Sequence, residues 1–245
     1  MAESLVPGEI PPSDIISIYV ASAEVKDKLQ QQLSDCEPII AQPDMFFLSA
    51  LRNSIPSNIS IFEGDMFFSN MQTLTISVNC VGIMGKGLAS RAKYQFPDVY
   101  VYYQDLCRSR RLKLGLPCLY KREESLEYTL AYDARTLKNG DQQKWFLLFP
   151  TKGHWKLKSD IEGIKQGLKW LQDNYEREGI KSLAIPALGC GLGKLDWKDV
   201  GPLMVKHLIG LDIPVEIYLP AEKRISDEFL KKEFLLKDYQ KANLF

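Results

Sequence analysis

A chain of 245 residues that is 45% hydrophobic can bury one large core, or a core of roughly 180 residues with extensions. Its 31 basic and 31 acidic side chains create no global positive field, which speaks against a tight, non-specific duplex binder. No apolar run approaches the roughly 18 residues of a membrane-spanning helix.

Residues 1–14 are rich in proline and polar groups and read as loose chain. Ile15–Val20 reads as a short strand and Ser22–Leu33 as a short helix with a charged face. Met45–Leu51 is apolar, and Pro56-Ser57-Asn58 makes a turn. Residues 1–58 are therefore expected to form an N-terminal extension, too small for much core of its own and packed on the main body. The main body starts with Ile59–Phe62 and Gly64-Asp65. Thr73–Val78 is a buried type of strand. Gly87–Phe96 is a helix with Leu88, Ala89, Ala92 and Phe96 on one side, stopped by Pro97. A second helix, Val99–Arg108, follows. Strands are predicted at Leu116–Lys121 and Trp145–Pro150, with a charged hairpin or loop, Arg122–Lys144, between them.

Ser159–Tyr175 has the strongest helical pattern: Ile161, Ile164, Leu168, Leu171 and Tyr175 form one apolar stripe, and Ser159 with Glu162 reads as a capping box. Gly163 and Gly167 each cost about 1 kcal/mol relative to alanine inside a helix and so suggest close packing. Ser182–Pro186 and Val215–Leu219 are strands flanking the helix Trp197–Leu208. Residues 221–245 add a charged helix with Phe229, Leu230, Phe234 and Leu235 on its apolar side, expected to dock on the domain, with a partner-binding helix as the second reading. Strands alternating with helices imply a largely parallel or mixed sheet covered on both faces, with ligands at the carboxyl ends of its strands.

Two glycine-rich turns fall at such strand ends: Asn79-Cys80-Val81-Gly82-Ile83-Met84-Gly85-Lys86-Gly87 and Ala187-Leu188-Gly189-Cys190-Gly191-Leu192-Gly193. Glycine lets backbone N–H groups close on a phosphate, and two such turns suit a ligand with more than one phosphate, or a phosphate plus a ribose. The first turn is not a P-loop, since it lacks the Gly-Lys-Ser/Thr ending, and the spacing of its glycines does not fit the dinucleotide fingerprint. The five cysteines, Cys36, Cys80, Cys107, Cys118 and Cys190, include no Cys-x-x-Cys pair, and only His154 and His207 accompany them. No zinc spacing results. An odd cysteine count after a start without a basic apolar leader fits a reducing compartment. Cys80 and Cys190 read first as small buried fillers. The run Arg108-Ser109-Arg110-Arg111-Leu112-Lys113 reads first as a solvated helix end, with a local nucleic-acid patch as the alternative.

These pieces together resemble the macrodomain, the ADP-ribose-binding fold, across roughly residues 59–220. The resemblance rests on Gly64-Asp65, the turn from Asn79 to Ala89, Phe96-Pro97, the run Phe149-Pro150-Thr151-Lys152-Gly153-His154-Trp155, and the run from Pro186 to Trp197. Within that family the chain is most similar to the DarG-like branch of DNA ADP-ribosyl glycohydrolase antitoxins. The resemblance implies an α/β fold: a three-layer α/β/α sandwich with a mixed central sheet. It implies that Asp65, beside Met66, accepts a hydrogen bond from the adenine amino group. It also implies that Gly82, Ile83, Gly85, Lys86, Gly87 and Leu88 cradle the distal ribose and a phosphate, and that Ala187, Gly189, Cys190, Gly191, Leu192 and Gly193 hold the diphosphate. Asn79 either orders ribose hydroxyls or satisfies a turn. Lys93 matches the position of the family's essential lysine and is the candidate catalytic residue, in preference to Lys86. Thr151, His154 and Trp155 line the substrate mouth, or else Trp155 anchors the core and His154 makes a structural hydrogen bond. Gly153 stands where the branch carries a basic residue.

The implied activity is removal of ADP-ribose from thymidine in single-stranded DNA, a DNA-repair or antitoxin function, without cofactor or metal. Gly193 stands where the protein-directed relatives carry an aspartate, which argues against protein carboxyl esters as substrate. Two alternatives stay open: a glycohydrolase or processing enzyme for ADP-ribosylated protein or ADP-ribose derivatives, and a non-catalytic ADP-ribose-binding module. The expected partners are ADP-ribose, ADP-ribosylated single-stranded DNA and an ADP-ribosylating toxin, with a stand-alone repair or signalling enzyme as the other setting. A monomer in the cytoplasm, or in the nucleus of a eukaryotic cell, away from membranes, is expected.

Overall fold

The computed structural model describes residues 17–20, 23–32, 38–41, 50–55, 58–122, 144–220, 223–237 and 239. It contains two compact units, Met1–Leu48 and Ser49–Phe245. In the first, strands β1 (Ile18–Val20) and β2 (Ile39–Ala41) pair in parallel. A parallel pair needs a crossover, here containing helix α1 (Ala23–Gln32).

The second unit is built on a seven-stranded sheet in the order β3-β4-β9-β8-β5-β7-β6. Its inner strands are β4 (Ile59–Glu63), β9 (Val215–Tyr218), β8 (Leu183–Pro186), β5 (Thr73–Asn79) and β7 (Trp145–Lys152), all parallel. Antiparallel strands β3 (Ala50–Ile55) and β6 (Cys118–Tyr120) close the two edges. The sheet is thus mixed, as the macrodomain resemblance implies. The sequence assigns Ala50–Ile55 to the extension, whereas the structure gives it to the main sheet. Only Ile55 of this strand is buried, and Arg52-Asn53-Ser54 interrupts any apolar alternation. Arg52 sits at an irregularity in the β3–β4 register and pairs with Glu63 and Asp227, a way of finishing an exposed edge.

Helices α2 (Gly87–Gln95) and α3 (Pro97–Arg108) cover one face, where Leu74, Ile76 and Val78 of β5 meet Ala92, Val99, Tyr103 and Leu106. Helices α4 (Ile161–Glu178) and α5 (Trp197–Leu208) cover the other. The predicted stripe of α4 is the contact surface: Ile164, Leu168 and Leu171 are fully buried with Leu147, Phe149 and Ile185. Each such side chain contributes about 1.5–3 kcal/mol by leaving water. The two glycines of α4 serve close packing. A Cβ on Gly167 would lie 2.5 Å from Phe149 Cζ, and one on Gly163 would lie 3.1 Å from Leu114 Cδ2.

Two further expectations change. The cap of α4 is Asp160, whose carboxylate accepts the Gly163 N–H at 2.9 Å. Ser159, the predicted cap, turns away from the helix. Among its described residues the C-terminal segment is broken into a 3-10 turn at Asp227–Leu230 and a short helix α6 (Lys232–Leu235), because Lys231 between them is extended. Both dock on the core through buried Leu230 and Leu235. Of the predicted charged segment Arg122–Lys144, residues 123–143 lie outside the described residues. Arg122 itself is 1% exposed and paired with Asp98 through Nε at 2.8 Å, with its guanidinium 5.0 Å from the Phe96 ring centroid. That buried pair fixes the junction of α2 and α3, and thereby the helix that follows the first glycine turn.

Candidate functional site

Because the five inner strands are parallel, their carboxyl ends share one edge of the sheet: Glu63, Tyr218, Pro186, Asn79 and Lys152. Both glycine turns leave from this edge.

The first turn hangs from Asn79, which is 6% exposed. Its side-chain oxygen accepts the Val81 N–H at 3.0 Å, and its amide donates to the Ile83 carbonyl at 2.6 Å. The Tyr103 hydroxyl donates towards the same Asn79 side-chain oxygen at 3.0 Å and towards its backbone carbonyl at 2.9 Å. Burial pushes the Tyr103 hydroxyl pKa well up, so it remains a donor. The structure therefore supplies the turn-satisfying role for Asn79, with one amide hydrogen left over. Gly82 and Gly87 adopt φ of +81° and +60°, open to glycine at no steric cost. Among the described residues, the N–H groups of Met84, Gly85, Lys86 and Gly87 find no backbone carbonyl partner. Lys86 stands at the N-cap of α2 without a side-chain cap. A row of free donors at a helix N-terminus is an anion site.

The second turn is packed from below. Gly189 has φ of +72°, its carbonyl accepts Leu195 N–H at 2.9 Å, and the Gly193 carbonyl accepts Ser159 N–H at 3.0 Å. A Cβ on Gly193 would stand 2.3 Å from Ser159 Oγ and 2.4 Å from the Gly189 oxygen. A side chain there would force Ser159 and the Gly189 backbone to shift. Among the described residues, the N–H groups of Gly191, Leu192 and Gly193 also lack a backbone carbonyl partner. Two rows of such donors thus lie in the two turns that leave the same strand-end edge. The Lys152 ammonium reaches the Leu192 carbonyl at 3.4 Å, and burial, with the neighbouring Lys194 charge, lowers its pKa. Ser159 Oγ is buried beneath the turn and, among the described residues, finds no hydrogen-bond partner.

At the β4 end, Asp65 is 8% exposed. One carboxylate oxygen accepts the Phe67 N–H at 3.1 Å, and the other pairs with Arg91 of α2 at 2.6 Å. The Arg91 guanidinium lies 5.1 Å from the Phe67 ring centroid. Two residues further along α2, and so roughly 200° round the helix, Lys93 faces α3. Its ammonium lies 4.8 Å from the Tyr100 centroid and 5.5 Å from that of Tyr94. Lys93 is half-buried, held by aromatic faces that favour a cation, rather than a freely solvated helix lysine.

On the β7 side, the Gly153 carbonyl accepts the Cys80 N–H at 3.2 Å, locking the loop after β7 against the first turn. Thr151 is buried. Trp155 is 48% exposed, so it is no core anchor; its ring stacks on His154 at 5.5 Å. The His154 Nδ1 accepts the Lys156 N–H at 3.2 Å.

Among the predicted ligand contacts, Met66, Ala187 and Cys190 are 2%, 6% and 4% exposed. Their side chains belong to the core, leaving only backbone for a ligand, and the Ala187 N–H is already donated to Tyr218 O at 2.8 Å. Gly82, Ile83, Gly85, Lys86, Gly87, Leu88, Gly189, Gly191, Leu192 and Gly193 lie in the two turns or at the start of α2. Burial drives the Cys190 thiol up to about 12 and raises Cys80, which suits fillers rather than nucleophiles. Arg91, Tyr103 and Ser159 escape the sequence reading, because each meets the site only through tertiary pairing. Among the described residues no group of three or more His, Cys, Asp or Glu side chains is placed to hold a metal ion.

A mixed sheet between helical layers, with two donor-lined glycine turns and an acidic side chain along one edge, defines a three-layer α/β domain. A family model of the macro domain matches residues 77–204, and the chain belongs to that family. It is 56% identical over 237 residues to a DNA ADP-ribosyl transferase–DNA ADP-ribosyl glycohydrolase fusion protein of Thermosipho africanus. That match covers 96% of this chain and 61% of the relative, so the likeness runs beyond the macrodomain core into the terminal segments. The solved structure of Thermosipho africanus DarTG in complex with ADP-ribose is similar at a TM-score of 0.69 and 55% identity, over 94% of this chain and 60% of that one. The macrodomain of Mycobacterium tuberculosis DarG is similar at a TM-score of 0.56 and 32% identity, over 66% of this chain and 98% of that one.

Proposed function

We propose that this chain binds ADP-ribose along the strand-end edge and hydrolyses its bond to thymidine in single-stranded DNA. The observation that carries the reading is the pair of donor rows, Met84–Gly87 and Gly191–Gly193, flanked by Asp65 at one end and by the loop of Trp155 at the other. A diphosphate would accept from the rows, and Asp65 would accept from the adenine amino group. The distal ribose would then lie by the first turn. The fusion protein and the DarG macrodomains, similar over most of the core, carry the DNA glycohydrolase name. The transferase named in the fusion points to a DNA-modifying ADP-ribosyl transferase as the functional partner.

In the proposed step, the bond between the ribose anomeric carbon and the base nitrogen breaks. Water supplies a hydroxyl to the carbon, and the nitrogen leaves with the bonding pair and gains a proton. Positive charge grows on the sugar and negative charge on the base. As an ammonium, Lys93 orients and protonates the departing base. As a neutral amine, it attacks the anomeric carbon through a ring-opened sugar, forming an imine that water then cleaves. Reductive trapping with cyanoborohydride separates these routes, since only the second leaves a lysine–ADP-ribose adduct. Neither route uses a metal, so a chelator is expected to leave turnover unchanged.

Gly193, at the position where the resemblance puts an aspartate in the protein-directed enzymes, disfavours protein esters. A substrate panel tests the proposal: thymidine-linked ADP-ribose on single-stranded DNA against glutamate-, serine- and phosphate-linked ADP-ribose. Release from the DNA substrate alone is expected. Release from protein esters alone would assign the chain to the protein-directed enzymes, and ADP-ribose binding without any release would make it a binding module.

A further inference from the structure

The basic run after α3 finds a place at the site. α3 ends beside the first glycine turn: Cys107 Cβ lies 3.6 Å from where a Cβ on Gly82 would stand, and Cys107 Sγ is 4.0 Å from Asn79 O. The next residues are fixed by their backbone. Arg110 takes φ of +56°, and the Arg111 and Leu112 N–H groups both return to the Leu106 carbonyl, at 2.9 and 3.3 Å. Leu112 is buried as a peg, while Arg110, Arg111 and Lys113 are exposed. Arg108 is committed to Asp105 at 3.0 Å, and the Arg111 Nε to Ser109 Oγ at 3.1 Å. Arg110 and Lys113 have no such commitment among the described residues. The loop after β7, tied to the same first turn through Cys80 and Gly153, presents Trp155 with Lys156 5.1 Å over its ring. Among the described residues, Asp160 caps α4 and Glu162 pairs with Lys165.

The sheet order gives these two banks a direction. Asp65 follows β4, at the far side of the parallel strands from β5 and β7. A ligand with its adenine at Asp65 and its distal ribose at the first turn therefore delivers the acceptor between the basic run and the Trp155 loop. The geometry points to a track here for a single strand of DNA: Arg110 and Lys113 take phosphodiesters on one bank, and Trp155 stacks on a base on the other, backed by Lys156. In a chain of balanced charge, such cations focus the field locally. An exposed indole needs an unpaired base to stack upon, which favours a single strand over a duplex. This inference rests on the glycohydrolase reading.

Its test uses an unmodified single-stranded oligonucleotide, so that binding is read apart from hydrolysis. In fluorescence anisotropy, Arg110→Glu with Lys113→Glu is expected to weaken binding about tenfold or more and to flatten the logarithmic salt dependence by roughly 1.4 units. Trp155→Ala is expected to weaken it roughly tenfold. ADP-ribose affinity and hydrolysis of ADP-ribosyl-thymidine nucleoside should be unchanged in the Arg110/Lys113 variant, with KM raised only for the oligonucleotide substrate. Wild-type affinity and salt dependence in that variant, or duplex binding as tight as single-strand binding, would overturn the track. If no ADP-ribosylated substrate turns over but the variants still lose single-strand binding, the track stands and the activity falls.

Discussion

The two glycine turns look alike as sequence and differ as structures. In the first, the glycines serve backbone conformation and access: a Cβ on Gly85 would meet nothing nearer than Ile83 Cγ2 at 3.8 Å. In the second, they serve packing, for Gly189 and Gly193 press against Leu195 and Ser159 at distances no side chain tolerates. The first turn is held from within by one asparagine and one tyrosine hydroxyl; the second is held by the core beneath it. A shared glycine signature thus covers an open, hydrogen-bonded cradle and a close-packed shelf. The two should respond differently to the same substitution.

Gly193→Ala should have the largest effect on the turns. Its methyl would collide with Ser159 and with the backbone oxygen of Gly189, costing about 1–3 kcal/mol of stability, with ADP-ribose binding weakened at least tenfold. Chemical denaturation and calorimetric titration read both. Asn79→Ala should come next. It strips a partner from the Val81 N–H, the Ile83 carbonyl and the Tyr103 hydroxyl, and should cost about 1–3 kcal/mol. A loss confined to stability would assign Asn79 wholly to the turn, whereas an added loss of ADP-ribose affinity would give its spare amide hydrogen to the ribose. Ser159→Ala removes a buried hydroxyl that has no partner among the described residues, and should leave stability equal or raise it by about 1 kcal/mol. A destabilised variant would show that the hydroxyl is paired after all. Gly85→Ala should change stability by less than about 0.5 kcal/mol while weakening ADP-ribose severalfold. A stability loss as large as that of Gly193→Ala would erase the contrast between the turns.

The layout of the domain was legible because its parallel strands and the α4 stripe follow simple periodicities, and because both glycine turns interrupt apolar runs. What was illegible depends on pairing across the chain. β3 shows only Ile55 to the core, so its membership in the sheet appears only once β4 lies beside it. The cap of α4 went to Asp160 rather than Ser159, since a carboxylate one residue nearer the helix reaches the Gly163 N–H, while the serine is drawn under the second turn. In the site, Asp65 and the turns carry local signals. Arg91, Tyr103 and Ser159 do not, because an arginine, a tyrosine and a serine declare their roles only through the partner each meets. The run 108–113 reads first as a solvated helix end, and Arg108, Arg110, Arg111 and Lys113 are exposed; that the end of α3 lies beside the first turn, with Cys107 Cβ 3.6 Å from where a Cβ on Gly82 would stand, is a tertiary fact the run itself does not carry.

The most direct test of the account is single-turnover release of free ADP-ribose from a thymidine-ADP-ribosylated single strand by the wild type and by Lys93→Ala. Rapid release by the wild type is expected, falling at least roughly a hundredfold in the variant while ADP-ribose binding stays intact. Release by Lys93→Ala at the wild-type rate would contradict the assignment of Lys93, and no release by the wild type would contradict the activity itself.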